Sequence, residues 1–383
     1  ADRIGTAWFD ADRLNRAGLG GFTAETRKTI SISSDLAFAD GGEVTLVAPS
    51  IDVSAAVIAH GGSLLTSNKF VGGVDRGTDE VLLDPDGSAR VVLHHGALID
   101  VSGLWVNTEL NADDVARLGF VDGGSVSLFS THDVMLEGGS GIDVSSGGGL
   151  LVQRKALGGT GGDVSLVADG FNANVAPDGA LVLDGEIRGA GLMGGGTLHL
   201  ETGKTFTIGA DNEQDGLQID TAIFQTGFAS YEIVGRKGVT VADGTDLSVV
   251  MPVLRFGESA LDVATGAPLF DALELWTPPT YLENPVDGIM ARRGGASLTL
   301  SATLGAPAGS DEAIGGIRIG RQATVGVDPG QSITLLGKDI EVDGGLYAWG
   351  GNVTLDVPRL ATAVADGYGS SEPGVIRIGS EAV

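Results

Sequence analysis

The 383-residue chain has no cysteine, so neither a disulfide framework nor a thiolate metal site can contribute to its fold. Aromatic residues make up only 5%, which leaves few large rings for a core or for sugar-stacking platforms. Proline occurs 12 times and without a G-X-Y period, which excludes a collagen triple helix. Basic residues are scarce: 23 Lys and Arg stand against 50 Asp and Glu, a formal net charge of -27. Such a surface repels phosphate backbones and anionic headgroups, so nucleic acid is excluded as a partner. No run approaches the roughly 18 apolar residues of a membrane span, so membrane insertion is not expected. The start, "ADRIGTAWFD", lacks a basic n-region and an apolar h-region, so any export signal is expected to lie upstream or to have been removed.

Glycine is abundant instead. Its 63 residues are more than double the roughly 7% of an average chain. Apolar residues at 42% suffice for a packed core. Glycine pairs open a recurring phrase: "GGEVTL" (41–46), "GGSLLT" (61–66), "GGSVSL" (123–128), "GGDVSL" (161–166), "GGTLHL" (195–200) and "GGNVTL" (350–355), with "GGASLTL" (294–300) one residue longer. After each pair apolar residues alternate, as in a strand with one buried face. Val44, Leu46, Val126, Leu128, Val164, Leu166, Leu198, Leu200, Val353 and Leu355 are therefore predicted to face inward. A second phrase, "IDVS", recurs at 51–54, 99–102 and 142–145, with "LDVA" at 261–264. Its Asp52, Asp100 and Asp143 are expected to be outward and solvated.

Same-register recurrence at about 20-residue steps, with no long helical crossovers, predicts an all-β fold: a parallel β-helix running through residues 1–383 as a single solenoid. Glycines and Asp-Gly pairs then serve as corners. Allowing for interruptions, about 16 coils of about 20 residues would make a rod of roughly 75 Å. Three interruptions stand out. Residues 9–18 read as a short helix with Asp10 as N-cap and Gly18 as C-cap, and 111–119 repeat that grammar with Asn111 and Gly119. Residues 255–293 read as an excursion from the coil, partly helical around Phe270–Trp276.

Over residues 8–66 the chain resembles large proteobacterial exoproteins of the filamentous-haemagglutinin type. The likeness rests on Phe9-Asp10, the short helix ending in glycine, a following Gly-Phe, and the strand "VTLVAP" from Val44 to Pro49. It implies a right-handed β-helix, secreted through a dedicated outer-membrane partner and serving at the bacterial cell surface as an adhesin shaft or fibre. The asparagine-proline motifs of that family's export domain are missing apart from Asn284-Pro285, so the likeness is to the body of such a protein. It carries over no catalytic residues.

Motifs for chemistry are thin. "GGSGIDVSS" (138–146) and "GGTGGDVSL" (158–166) approach the calcium-coil repeat, placing Asp143 and Asp163, but Ser stands where a large apolar residue belongs. "GAGLMG" (189–194) precedes a strand rather than a helix, and "TGKT" (202–205) lacks the preceding glycine of a phosphate loop. Histidines 60, 94, 95, 132 and 199 show no metal-ligand spacing. Arg154-Lys155, Arg236-Lys237 and Arg292-Arg293 read as local neutralisers of acidity. No catalytic residue, metal site or cofactor is predicted. The expected role is a structural and adhesive shaft, with a surface glycan or cell-surface receptor as ligand. Recognition is expected on the 255–293 excursion, through Trp276 and Tyr281, with Trp105 beside the second interruption. Two alternatives stay open: a lyase or hydrolase of acidic polysaccharide on the same fold, and a calcium-stabilised repeat domain.

Overall fold

The structure, a computed structural model, describes residues 7–71, 80–82, 87–109, 121–169, 179–209, 217–284, 289–302, 315–357, 374–380 and 382–383. The chain winds as a parallel β-helix. One sheet of ten strands runs its whole length: Gly21–Glu25, Glu43–Val47, Ser63–Ser67, Ser125–Phe129, Asp163–Val167, Thr197–Thr202, Ser230–Gly235, Ser297–Ser301, Ser332–Leu336 and Asn352–Asp356. Every one of the seven glycine-pair phrases lands in this sheet, parallel and in register. One inward ladder reads Val44, Leu64, Val126, Val164, Leu198, Tyr231, Leu298, Ile333, Val353. From Val44 to Ile333 all its members are buried. Each such side chain contributes about 1.5–3 kcal/mol, and a one-residue slip would expose the whole set.

The glycine pair does two jobs. Gly61 takes a left-handed φ of 62°, a corner that other residues enter only with strain. Its partner position stacks along the rod as Gly42, Gly62, Gly124, Gly162 and Gly196. A Cβ on Gly124 would lie 2.0 Å from the Gly62 carbonyl oxygen of the rung beneath. The second glycine is therefore a close-approach residue, and adjacent rungs set its identity.

Among the described residues the long sheet has ten rungs, against the predicted sixteen coils. Ser63 to Ser125 and Ser230 to Ser297 each span more than 60 residues of chain, yet their strands are direct neighbours. Extra residues leave the lattice as loops and hairpins without adding rungs, so the long sheet measures about 43 Å at the usual strand spacing. Val353 is a second correction. It is 44% exposed, because Asn352–Asp356 ends the sheet and has a neighbouring strand on one side only; Leu355 is partly buried there.

The other two faces are broken. In the first half they are five-stranded sheets ending at Leu181–Leu183 and Glu186–Arg188; in the second a six-stranded sheet begins at its edge strand Leu217–Ile219, next to Thr205–Ile208, and a three-stranded one at Asp246–Val249. Among the described residues, the long sheet alone is continuous across this break. The aliphatic filling changes there to an aromatic plug of Phe206, Phe224, Phe228 and Tyr231, all fully buried. Tyr231 packs against Phe224 and Phe228 at centroid distances of 5.4 and 6.0 Å, and its hydroxyl accepts from the Thr226 N–H.

At the other end, residues 9–18 carry the helix Ala11–Ala17, with the Asp10 carboxylate accepting from the Arg13 N–H and Gly18 left-handed at its close. Residues 111–119 lie outside the described residues. Among the described residues no helix is long and apolar enough to cross a membrane.

Candidate functional site

The 255–293 excursion is mostly hairpin. Val253–Phe256 pairs antiparallel with Leu273–Trp276, and Tyr281–Asn284 with Ile289–Arg292. The helix expected around Phe270–Trp276 is only Leu269–Ala272. A single turn is marginal by itself, and Leu273–Trp276 satisfies its backbone by pairing instead.

Trp105 fastens this excursion to the coil. It is 1% exposed, in an apolar cluster with Leu150, Leu254, Leu269 and Leu273. Its indole N–H donates to the Val263 carbonyl at 3.1 Å, and Phe256 meets its ring edge-on. Asn107 adds side-chain bonds to the Leu261 and Val263 carbonyls. The Trp105 ring thus offers no open face to a ligand. Trp276 is half-buried under the Arg255 guanidinium, whose carbon lies 5.1 Å from the ring centroid. Tyr281 is exposed on the second hairpin.

None of these three rings lines the cleft that the fold creates. That cleft, of about 1180 Å³, opens where the two side faces are interrupted. One wall is Leu183–Arg188, at the end of the first-half sheets. The other is Gln218–Thr226, which includes the 3-10 helix Thr221–Gln225 that buries Phe224 in the plug. The excursion lays Phe270 and Leu275 over it, both substantially exposed.

Strand pairing builds the polar lining. Asp100, Asp143 and Arg188 are register partners on successive rungs of one face. Arg188 grips Glu186 through two hydrogen bonds of 2.6 and 2.5 Å, and Nη1 lies 3.7 Å from the Asp143 carboxylate. Glu186 raises the Arg188 pKa above its ordinary value and so secures its charge. The guanidinium carbon stands 5.5 Å from the Phe270 ring centroid, a cation–π contact joining coil to excursion. Asp143, predicted outward and solvated, is buried beneath this assembly. Burial pushes its carboxyl pKa up, the neighbouring Asp100 adds to that, and Ser145 and Arg188 pull it part of the way back. Ser145 is fully buried beside it, and its N–H donates to the Asp143 carboxylate at 2.9 Å.

Across the cleft, Asp220 caps its short helix by accepting from the Ala222 N–H at 2.8 Å. Gln225 donates to the Ser248 carbonyl, leaving its amide oxygen as an acceptor. Asp184, Glu186 and Asp220 outnumber Arg188, so the lining is acidic and rich in acceptors. Of these residues the sequence signals only Asp220, through "ID" at 219–220, an echo of the "IDVS" phrase.

The calcium-like motifs do not converge. Asp163 is on the long sheet, bonded to the Thr197 N–H at 2.7 Å, whereas Asp143 is on a different face. Among the described residues no group of three metal-ligating side chains comes together. His94 lies between Asp52 and Glu137 on the neighbouring rungs, and His199 between Glu201 of its own strand and Glu232 of the next. Two of the basic pairs also go inward, Arg236 to Glu201 and Arg293 to Asp328. Comparison with protein-family models, with curated proteins and with solved structures returns no match to this chain.

Proposed function

We infer that this chain is a stiff structural segment of a secreted, surface-associated exoprotein, a shaft that spaces or displays what it carries. The observation that supports this reading is the ten-strand sheet, which continues in register while both other faces are interrupted. Along this sheet each rung is joined to the next by a ladder of backbone hydrogen bonds, so bending the body along it would break ladders. Export through an outer-membrane partner, and adhesion at a bacterial surface, follow from the resemblance over residues 8–66 and belong to the same proposal.

The test uses the cleanest coil. Ser332 to Asn352 is a 20-residue step with no excursion. Three further tandem copies of Ser332–Gly351 should lengthen the particle by about 14 Å in small-angle scattering and keep its cooperative unfolding. Loss of folding, or unchanged length, would count against a modular shaft.

A second reading is kept alive by the cleft, where three carboxylates stand beside an arginine on a β-helix. It makes the chain a polysaccharide lyase or hydrolase. Release of oligosaccharides from plant or capsular polysaccharide, abolished by Asp220→Asn, would establish that reading and displace the first.

A further inference from the structure

We propose that the cleft at the break of the side faces binds an uncharged oligosaccharide, with Phe270 as its stacking platform and Asp184, Glu186 and Asp220 as acceptors for its hydroxyls. Three observations carry this, none of them dependent on the shaft reading. The volume, about 1180 Å³, exceeds the roughly 300–1,000 Å³ of small-molecule sites and suits a chain of several sugar units. Phe270, on the short helix that leads into the hairpin strand Leu273–Trp276, is 46% exposed, with Arg188 against its ring and Leu275 beside it in the lining. An aromatic held open in this way provides the apolar face on which a pyranose ring stacks.

The third observation selects the ligand's charge. Carboxylates at Asp184, Glu186 and Asp220 face one guanidinium, and that guanidinium is already held by Glu186 and close to Asp143. A uronic-acid or sulfated chain would bring further anions into an acidic cleft with no uncommitted cation among the described residues of its lining. A ligand that donates hydrogen bonds and carries no negative charge fits, and sugar hydroxyls do both. Carboxylates fixed by existing bonds, as Glu186 is by Arg188 and Asp220 by the Ala222 N–H, lose little freedom on receiving them.

Calorimetric titration of the full chain would use hexasaccharides of β-1,4-glucose, α-1,4-glucose and β-1,4-mannose, with hexagalacturonate and a hexamer of glucosamine as charged counterparts. We expect at least one neutral hexasaccharide to bind and hexagalacturonate not to. Phe270→Ala and Asp220→Asn should each weaken that binding at least tenfold; Asn still caps a helix, so the second variant keeps the wall. Trp276→Ala, outside the cleft, should leave it unchanged, and far-ultraviolet circular dichroism should match for all variants. The proposal is overturned if no neutral hexasaccharide binds, if only the glucosamine hexamer binds, if hexagalacturonate binds best, or if Phe270→Ala has no effect.

Discussion

Breaking the buried pair between Arg293 and Asp328 should cost more than any surface change on this rod. Asp328 directly follows the strand Thr324–Val327, and its side chain is 1% exposed. One carboxylate oxygen accepts from the Met251 and Ala296 N–H groups, at 2.8 and 3.1 Å. The other receives the Arg293 guanidinium, which also donates to the Pro278 carbonyl at 2.6 Å. Coil, hairpin entry and hairpin exit thus meet on one carboxylate. Asp328→Ala strands a buried guanidinium and removes the acceptor of two backbone donors. Removing one partner of such a pair costs about 3–5 kcal/mol, and the upper half of that range is expected here. Arg293→Met leaves the carboxylate its two N–H donors, so its cost should sit near the lower end. The double variant should be less destabilised than the sum of the singles by at least about 1 kcal/mol, because the second change relieves an unpaired charge. Urea unfolding at constant slope would give all three values. Additivity within about 0.5 kcal/mol, or single losses below about 1 kcal/mol, would refute the reasoning.

Gly124→Ala should destabilise by about 1–3 kcal/mol through overpacking against the Gly62 carbonyl, whereas Gly326→Ala, where a Cβ meets nothing within 4 Å, should be near neutral. Equal shifts in melting temperature would mean that rung spacing does not set the glycine stack. His199 has its pKa raised above 6.5, first by Glu201 and then by Glu232, against the opposing effect of burial. A raised folded-state pKa adds stability that is complete below about pH 6.5 and fades as the pH climbs through the folded value. The stability gap between the native chain and His199→Gln should therefore be widest in mild acid and close in alkali; a gap that widens with pH would reverse the sign. The Asp143 carboxyl, raised by burial, acts in the same direction at lower pH: its contribution is full below the ordinary carboxylate range and declines as the pH rises through the folded value. The stability of the native chain relative to Asp143→Asn should therefore fall as the pH rises above the ordinary carboxylate range, and a difference that is flat or rises with pH would refute the raised pKa.

Much of the lattice was legible one strand at a time. Alternation places Val164 and Leu166 inward whatever lies around them, since successive side chains point to opposite faces. The glycine pairs mark where rungs begin, and Asp10 and Gly18 bracket their helix through bonds within a few residues. Relations between rungs were not legible in that way. Which residue stacks on which depends on how much chain leaves the lattice in each turn, and the 62 residues from Ser63 to Ser125 read as several coils until their strands are seen side by side. Ser230–Gly235 and Ser332–Leu336 lack a glycine pair, and their places in the sheet come from their neighbours. Asp143 reads as an outward residue on its own strand; the next rung's Arg188 and the Phe270 that covers it put it out of water. Trp105 likewise reads as a free ring until residues more than 150 positions later close over it. Alternation is a property of two residues in sequence, whereas the cleft is made by a break in sheet pairing that brings residues 183–188, 218–226, 270 and 275 together, and only the folded coil sets those distances.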